Sequence, residues 1–181
     1  MIETQRLILR PMLESDKEDF YEIFSSNEVG RFVSKMSREM VEKYFENIKK
    51  SSPSQFSFAV ELKENGKMIG NCEIKHNKDN NFGEISYVFN PKYWNKGFCT
   101  EACRAMIQYA FETANMHRIE ADCFADNYAS DKILREKLFM NYEGTLSDYA
   151  YNSATGKIMA FNFFGITKEE YKKRYTNLLY S

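Results

Sequence analysis

The stretch Phe82–Ala114, FGEISYVFNPKYWNKGFCTEACRAMIQYAFETA, decides how the chain is read. Its first eight residues mix aromatic and β-branched side chains and stop at Asn90-Pro91, where proline cannot donate to a ladder, so 82–89 reads as a strand. From Thr100 the apolar residues fall at Cys103, Met106, Ile107, Ala110 and Phe111, the spacing of one helix face. Between them Trp94-Asn95-Lys96-Gly97-Phe98-Cys99 forms a turn that feeds straight into the helix. The first amides of a helix lack internal partners, and the helix dipole adds partial positive charge there. Such a turn suits a diphosphate: Gly97 allows close backbone approach and Lys96 adds charge. On these grounds alone the pattern fits an ordinary loop as well as an anion site.

Upstream, Arg6–Arg10 alternates charged and apolar residues and reads as a strand ended by Pro11. Ser15-Asp16 starts a helix with Phe20, Ile23 and Phe24 on its apolar face through Ser25, and 37–50 repeats Met40, Val41, Tyr44, Phe45 and Ile48 at helical spacing. A breaker cluster at 51–54 precedes two strands, Gln55–Leu62 and Lys67–His76, joined through Lys63-Glu64-Asn65-Gly66. Downstream, Arg118–Phe124 reads as a strand and Asn127–Met140 as a helix. Tyr142–Tyr151 and Lys157–Ile166 form a second hairpin, and a charged helical tail follows from Thr167. No repeat, linker or low-complexity segment divides the chain, which predicts one α+β domain over residues 1–181.

The balance of 25 basic and 26 acidic residues gives no basic surface, so no nucleic-acid or membrane partner is expected. No apolar run approaches the roughly 20 residues that span a bilayer, and MIETQRLILRP lacks a signal-peptide core, which predicts a cytoplasmic protein. Cys72, Cys99, Cys103 and Cys123 contain no C-x-x-C pair, and His76 and His117 are isolated, so no metal is expected and the thiols read as reduced and mostly buried.

PKYWNKGFCTEACRAMIQYAF resembles the acetyl-coenzyme A binding motif of the GNAT acyltransferase superfamily, Q/R-x-x-G-x-G/A. More narrowly it is similar to the branch containing bacterial ribosomal-protein N-terminal acetyltransferases, which reads P-x-Y-W-G-K-G-Y-A-T-E-A here. Trp94 takes the Q/R position, Asn95 stands where that branch has glycine, and Cys99 where it has glycine or alanine. Asparagine tolerates left-handed dihedrals and cysteine is small, so neither change closes the site. ETQRLILRP, MHRIEADCFADNYASDKIL and FNFFGI extend the similarity over nearly the whole chain. The resemblance implies a GNAT-like α+β fold: a mostly antiparallel twisted sheet of about seven strands, flanked by helices and splayed in a V between 82–89 and 118–124.

It also implies a function: transfer of acetyl from acetyl-coenzyme A to a primary amine, on a protein N-terminus or a small molecule, by a monomer or homodimer. Tyr87, Val88 and Phe89 then carry the pantetheine and oxyanion contacts. Trp94, Asn95, Lys96, Gly97, Phe98, Cys99 and Thr100 carry the diphosphate, and Asn127 and Ser130 face the coenzyme. Helix capping also accounts for Asn127 and Ser130. Many superfamily members place a tyrosine donor for the leaving sulfur where Leu134 stands, which leaves Ser130 as the candidate. Positions where relatives carry a carboxylate are Ala150 and Ala160, so the general base is sought among Glu84, Asp122, Glu120 and Asp148, the first two foremost. The same departures leave a second reading open, a coenzyme-binding regulatory protein with little or no transfer. An aromatic-rich interaction module, a third, leaves the turn unexplained.

Overall fold

A computed structural model describes residues 1–50, 55–153 and 155–179; the breaker cluster at 51–54 and Ala154 of the second hairpin's turn lie outside them. Its strands are β1 (Ile2–Glu3), β2 (Leu7–Arg10), β3 (Gln55–Leu62), β4 (Met68–Asn77), β5 (Phe82–Phe89), β6 (Arg118–Phe124), β7 (Asn141–Asn152) and β8 (Lys157–Thr167). They form one eight-stranded sheet in the order β1-β2-β3-β4-β5-β6-β8-β7. All neighbours are antiparallel except β5 and β6. The sheet therefore has the expected mixed character, with the two-residue β1 added at the edge. That strand is too short to show any alternation in the sequence.

The helices are α1 (Lys17–Ser25), α2 (Arg38–Lys50), α3 (Phe98–Gln108), α4 (Tyr128–Lys132) and α5 (Lys168–Leu179). Two apolar clusters show how they sit on the sheet. On one face, Phe98, Cys103, Met106, Ile107 and Phe111 of α3 and its continuation pack with Leu134, Tyr171 and the strand residues Leu9, Ile74, Ile85, Ile119 and Phe164. On the other, Phe20, Ile23, Val41 and Phe45 of α1 and α2 meet Ala59 and Met68. Strand side chains alternate between faces. Ile85 and Tyr87 thus point toward α3, whereas Glu84, Ser86 and Val88 point toward the side of α1 and α2.

Several boundaries differ from expectation. Helix α3 starts at Phe98, two residues before Thr100, because the polar turn ends directly in helical backbone. It runs on through a π turn over Tyr109–Thr113. Helix α4 likewise continues through a π turn over Ile133–Lys137 and stops there, short of Met140. The chain leaves it through Phe139 in the left-handed region, at φ 54°. Glycine normally holds such an exit. Here α5 supplies the support instead: Arg174 donates to the Phe139 carbonyl, and the Tyr175 hydroxyl donates to the Leu138 carbonyl at 3.1 Å.

Candidate active site

Strands β5 and β6 pair only over Phe82–Glu84 and Arg118–Glu120, although both continue to Phe89 and Phe124. Past Glu84 they diverge, so backbone groups of β5 face open space rather than a neighbouring strand. This is the expected V. Its opening leads to the turn before α3.

That turn has two left-handed residues, Asn95 at φ 60° and Gly97 at φ 80°. Asparagine and glycine are the residues that adopt this conformation at least cost. Gly97 also has little room, since a Cβ there would stand 3.3 Å from the Arg6 guanidinium. Glu101 N donates to Gly97 O at 3.0 Å and closes the first turn of α3. The amides of Phe98, Cys99 and Thr100 precede that bond and lie at the positive end of the helix dipole.

Anchors on two sides, β5 and the N-terminal segment, hold the turn in place. The Trp94 indole donates to Phe89 O at 2.7 Å. From the loop between β1 and β2, the Arg6 guanidinium donates to Lys96 O at 2.9 Å and to Glu101 at 2.7 Å, while the Thr4 hydroxyl donates to Glu101 at 2.6 Å. Burial pushes the Glu101 carboxyl up, but these donors outweigh it and hold the group below its ordinary value. The loop between β1 and β2 thus braces the start of α3.

A groove of 510 Å³ runs from this turn into the V. Tyr87, Val88, Phe89, Trp94, Asn95, Gly97, Phe98, Cys99, Thr100, Asn127 and Ser130 all line it. Lys96, expected with them, turns its ammonium over the Tyr93 ring at 5.3 Å, and its carbonyl is taken by Arg6. Glu84 and Asp122 are also outside the described lining. They stand on the face toward α1 and α2, open to solvent, and the sheet around Asp122 partly desolvates its carboxyl and, with the Glu84 charge, raises it. Glu120 is engaged by Arg118 at 2.7 Å, and Asp148 is exposed at an irregularity of β7. Leu134 is fully buried in the core.

Asn127 and Ser130 have different parts. Asn127 is the residue that caps α4, its Oδ1 accepting from Ser130 N at 3.2 Å. The Ser130 hydroxyl is left for the groove. Close beside it, the Tyr87 hydroxyl is buried and closes no hydrogen bond among the described residues. Burial, with Cys99 and Cys103 nearby, raises this phenol well above its ordinary value; Ser130 is close enough to oppose the shift without closing a hydrogen bond.

Sequence reasoning missed part of the lining. Glu28, Val29, Phe32 and Val33, between α1 and α2, close one side of the groove, and Lys132 and Lys137 bring positive charge to the other. No periodicity marks 28–33. The segment is held by remote contacts: Phe32 packs 6.3 Å from Phe124, and Asn152 donates to Arg31 O at 2.9 Å. His76 and His117 both bond to Asn81, away from the groove. Among the described residues no group of at least three metal-ligating side chains comes together, and no helix is long and apolar enough to cross a membrane.

Comparison with known proteins places this geometry. The family model for the acetyltransferase (GNAT) domain matches residues 6–137. An uncharacterised N-acetyltransferase of Bacillus licheniformis, p20, is 31% identical over 176 residues, covering 93% of this chain and 96% of that protein. YnaD of Bacillus subtilis, another uncharacterised N-acetyltransferase, is 33% identical over 144 residues, or 79% of this chain and 84% of its own length. Among solved structures, a GNAT-family acetyltransferase from Bacillus anthracis superposes with a TM-score of 0.82 at 26% identity, over 93% of this chain and 99% of that one. Spermidine N-acetyltransferase from Vibrio cholerae, solved with CoA and spermine, shares the fold at a TM-score of 0.80 and 19% identity, over 93% of this chain and 99% of that one. A splayed parallel strand pair, an amide-lined turn at a helix start and these relationships lead to one conclusion: the chain belongs to the GNAT family of N-acetyltransferases, which move acetyl from acetyl-coenzyme A to an amine.

Proposed function

We propose that residues 1–181 form a single N-acetyltransferase domain that passes acetyl directly from acetyl-coenzyme A to a primary amine, through a tetrahedral intermediate. The observation that carries this reading is one continuous groove joining the α3 amides to the open edge of β5. The coenzyme diphosphate rests on the amides of Phe98–Thr100, with Lys132 and Lys137 adding charge nearby. The pantetheine arm then follows β5 into the V, where a β5 amide donates to the oxyanion.

The amine comes from the face toward α1 and α2, where Glu84 and Asp122 stand. Its attack requires a neutral nitrogen, and Asp122, with its raised carboxyl beside Glu84, serves as the proton acceptor. Ser130 donates to the departing sulfur. Acceptors in view are a protein N-terminus or a small amine; spermidine and spermine belong in the panel because a structural neighbour is a spermidine N-acetyltransferase solved with spermine.

The test is acceptor-dependent release of free thiol from acetyl-coenzyme A across peptides with free N-termini, polyamines and aminoglycosides. Turnover with at least one class is the expected result. Tight coenzyme binding with no thiol release for any acceptor would favour a regulatory, coenzyme-binding role instead.

A further inference from the structure

We infer that the β7–β8 hairpin selects the acceptor: Tyr149, with Phe161 and Phe163, forms an aromatic wall that receives the apolar group of an arylalkyl primary amine. This rests on the acetyl-transfer reading of the groove and names a substrate class for it.

Asp122 of β6 stands directly opposite Phe163 of β8, and Phe124 directly opposite Phe161. Cross-strand partners share a face, so Phe161 and Phe163 project with Asp122 toward the side of α1 and α2. The Phe124 and Phe161 rings meet at 4.4 Å. Phe32, which lines the coenzyme groove, lies 6.3 Å from Phe124 on its other side. The wall therefore adjoins the groove, and Asp122 stands at its near end.

Tyr149 joins this face through an irregularity of β7. Leu146 is opposite Phe161 and Ala150 opposite Met159, so the stretch from 146 to 150 spans only 161 to 159 on β8. Within the extra length Asp148 takes a left-handed φ of 49°. Bulges re-aim side chains, and this one brings the Tyr149 ring to 5.6 Å from Phe161 and, edge-on, to 5.1 Å from Phe163. The core does not need that ring, which is 54% exposed. A large aromatic side chain left in solvent beside other rings marks a surface that something apolar covers.

The arrangement narrows what that is. Carboxylates gather at one end, where Asp122 and Glu84 receive the amine. Glu120, the next one along β6, is already neutralised by Arg118. Beyond Asp122 the rings lean on one another and form a continuous apolar surface, whereas a cation site turns ring faces toward one centre. Neighbouring strands are about 4.8 Å apart, so the Phe163 ring begins within the reach of a two-carbon tether from an amine held at Asp122. The transfer keeps its chemistry: nitrogen bonds to the thioester carbon, the C–S bond breaks with its electron pair on sulfur, and the amine proton passes to Asp122.

The test compares kcat/KM for phenethylamine, propylamine and spermidine at equal concentrations of neutral amine. The parent should favour phenethylamine over propylamine by at least about tenfold, the scale for taking a phenyl group largely out of water. Tyr149→Ala should cut that ratio about threefold to tenfold, through KM more than kcat, with the coenzyme Kd within about twofold of the parent. Tyr149→Phe keeps the ring and should keep the ratio. A parent ratio near one would overturn the proposal without any variant, as would a ratio that Tyr149→Ala leaves unchanged. A spermidine preference that Tyr149→Ala abolishes would overturn it by making the rings a cation site. A dimer that Tyr149→Ala dissociates in sedimentation would do so by making them a subunit interface. Turnover of propylamine or spermidine without phenethylamine removes only the aromatic class, whereas coenzyme binding with no amine acetylated removes the acetyl-transfer reading as well.

Discussion

At Gly97 the backbone needs a left-handed residue, and the space beside it is already taken by Arg6. Gly97→Glu strains that left-handed backbone and adds a negative charge to the turn beside Arg6, so the Kd for acetyl-coenzyme A should rise at least about tenfold by calorimetry. The far-UV circular dichroism should change little, because the turn lies outside the strands and helices. Ser130 offers a cleaner separation of roles. Asn127 does the capping of α4, so Ser130→Ala leaves the cap in place and should barely move the melting temperature. With a verified acceptor, kcat should fall about 100-fold, the usual scale for a lost acid or donor, while the coenzyme Kd stays within about threefold. Steady-state kinetics beside a coenzyme titration reads both.

Helix α5 shows how one element supports another. It opens on a capping box: the Thr167 amide donates to Glu170 at 2.9 Å, and the Glu170 amide donates back to the Thr167 hydroxyl at 3.3 Å. The Thr167 amide, then Asn141, hold the Glu170 carboxyl down at about 2, against the opposing effect of burial. A carboxyl depressed in the folded state stabilises above its unfolded value and loses that contribution as pH falls through the folded one. The stability gap between the parent and Glu170→Ala should therefore be widest at neutral pH and shrink as pH drops from about 4.5 toward about 2. Urea denaturation across that range measures it. One turn further along, Arg174 holds the glycine-free exit of α4 through Phe139 O and through Asn141 at 2.7 Å. Arg174→Ala should cost about 1.5–3 kcal/mol, the range for hydrogen bonds to a charged group, read as a lower denaturant midpoint with an unchanged slope.

For the whole molecule, the groove is an assembly of distant segments. β5, the turn before α3, α4 and the 28–33 connection meet only when the sheet is complete. A ligand that fills it ties these parts together and binds only the folded chain. Acetyl-coenzyme A at about 100 times its Kd should add roughly 2.7 kcal/mol of stability, or about 5–11 °C in melting temperature at this chain length. A thermal shift at a confirmed saturating concentration tests this without any knowledge of the acceptor.

The strand–turn–helix of residues 82–114, both hairpins and the charged helical tail from Thr167 were legible in the amino-acid order. Each depends on spacing, proline and glycine placement or capping chemistry within a few residues. Asn95 and Gly97 belong to this group, since their left-handed tolerance is a property of the residues themselves. The V was legible only through resemblance, because nothing in 82–89 alone records where its pairing with 118–124 ends. Tertiary structure decided the rest. It set β8 between β6 and β7, ended α4 at a phenylalanine that Arg174 and Tyr175 hold in place of a glycine, and swung 28–33 over the groove. It also turned Glu84 and Asp122 toward α1 and α2 while leaving the Tyr87 hydroxyl unmet beside the groove. Local periodicity reports which face of an element is apolar. Which distant segment covers that face, and which buried group is left without a partner, follows only from packing the whole sheet.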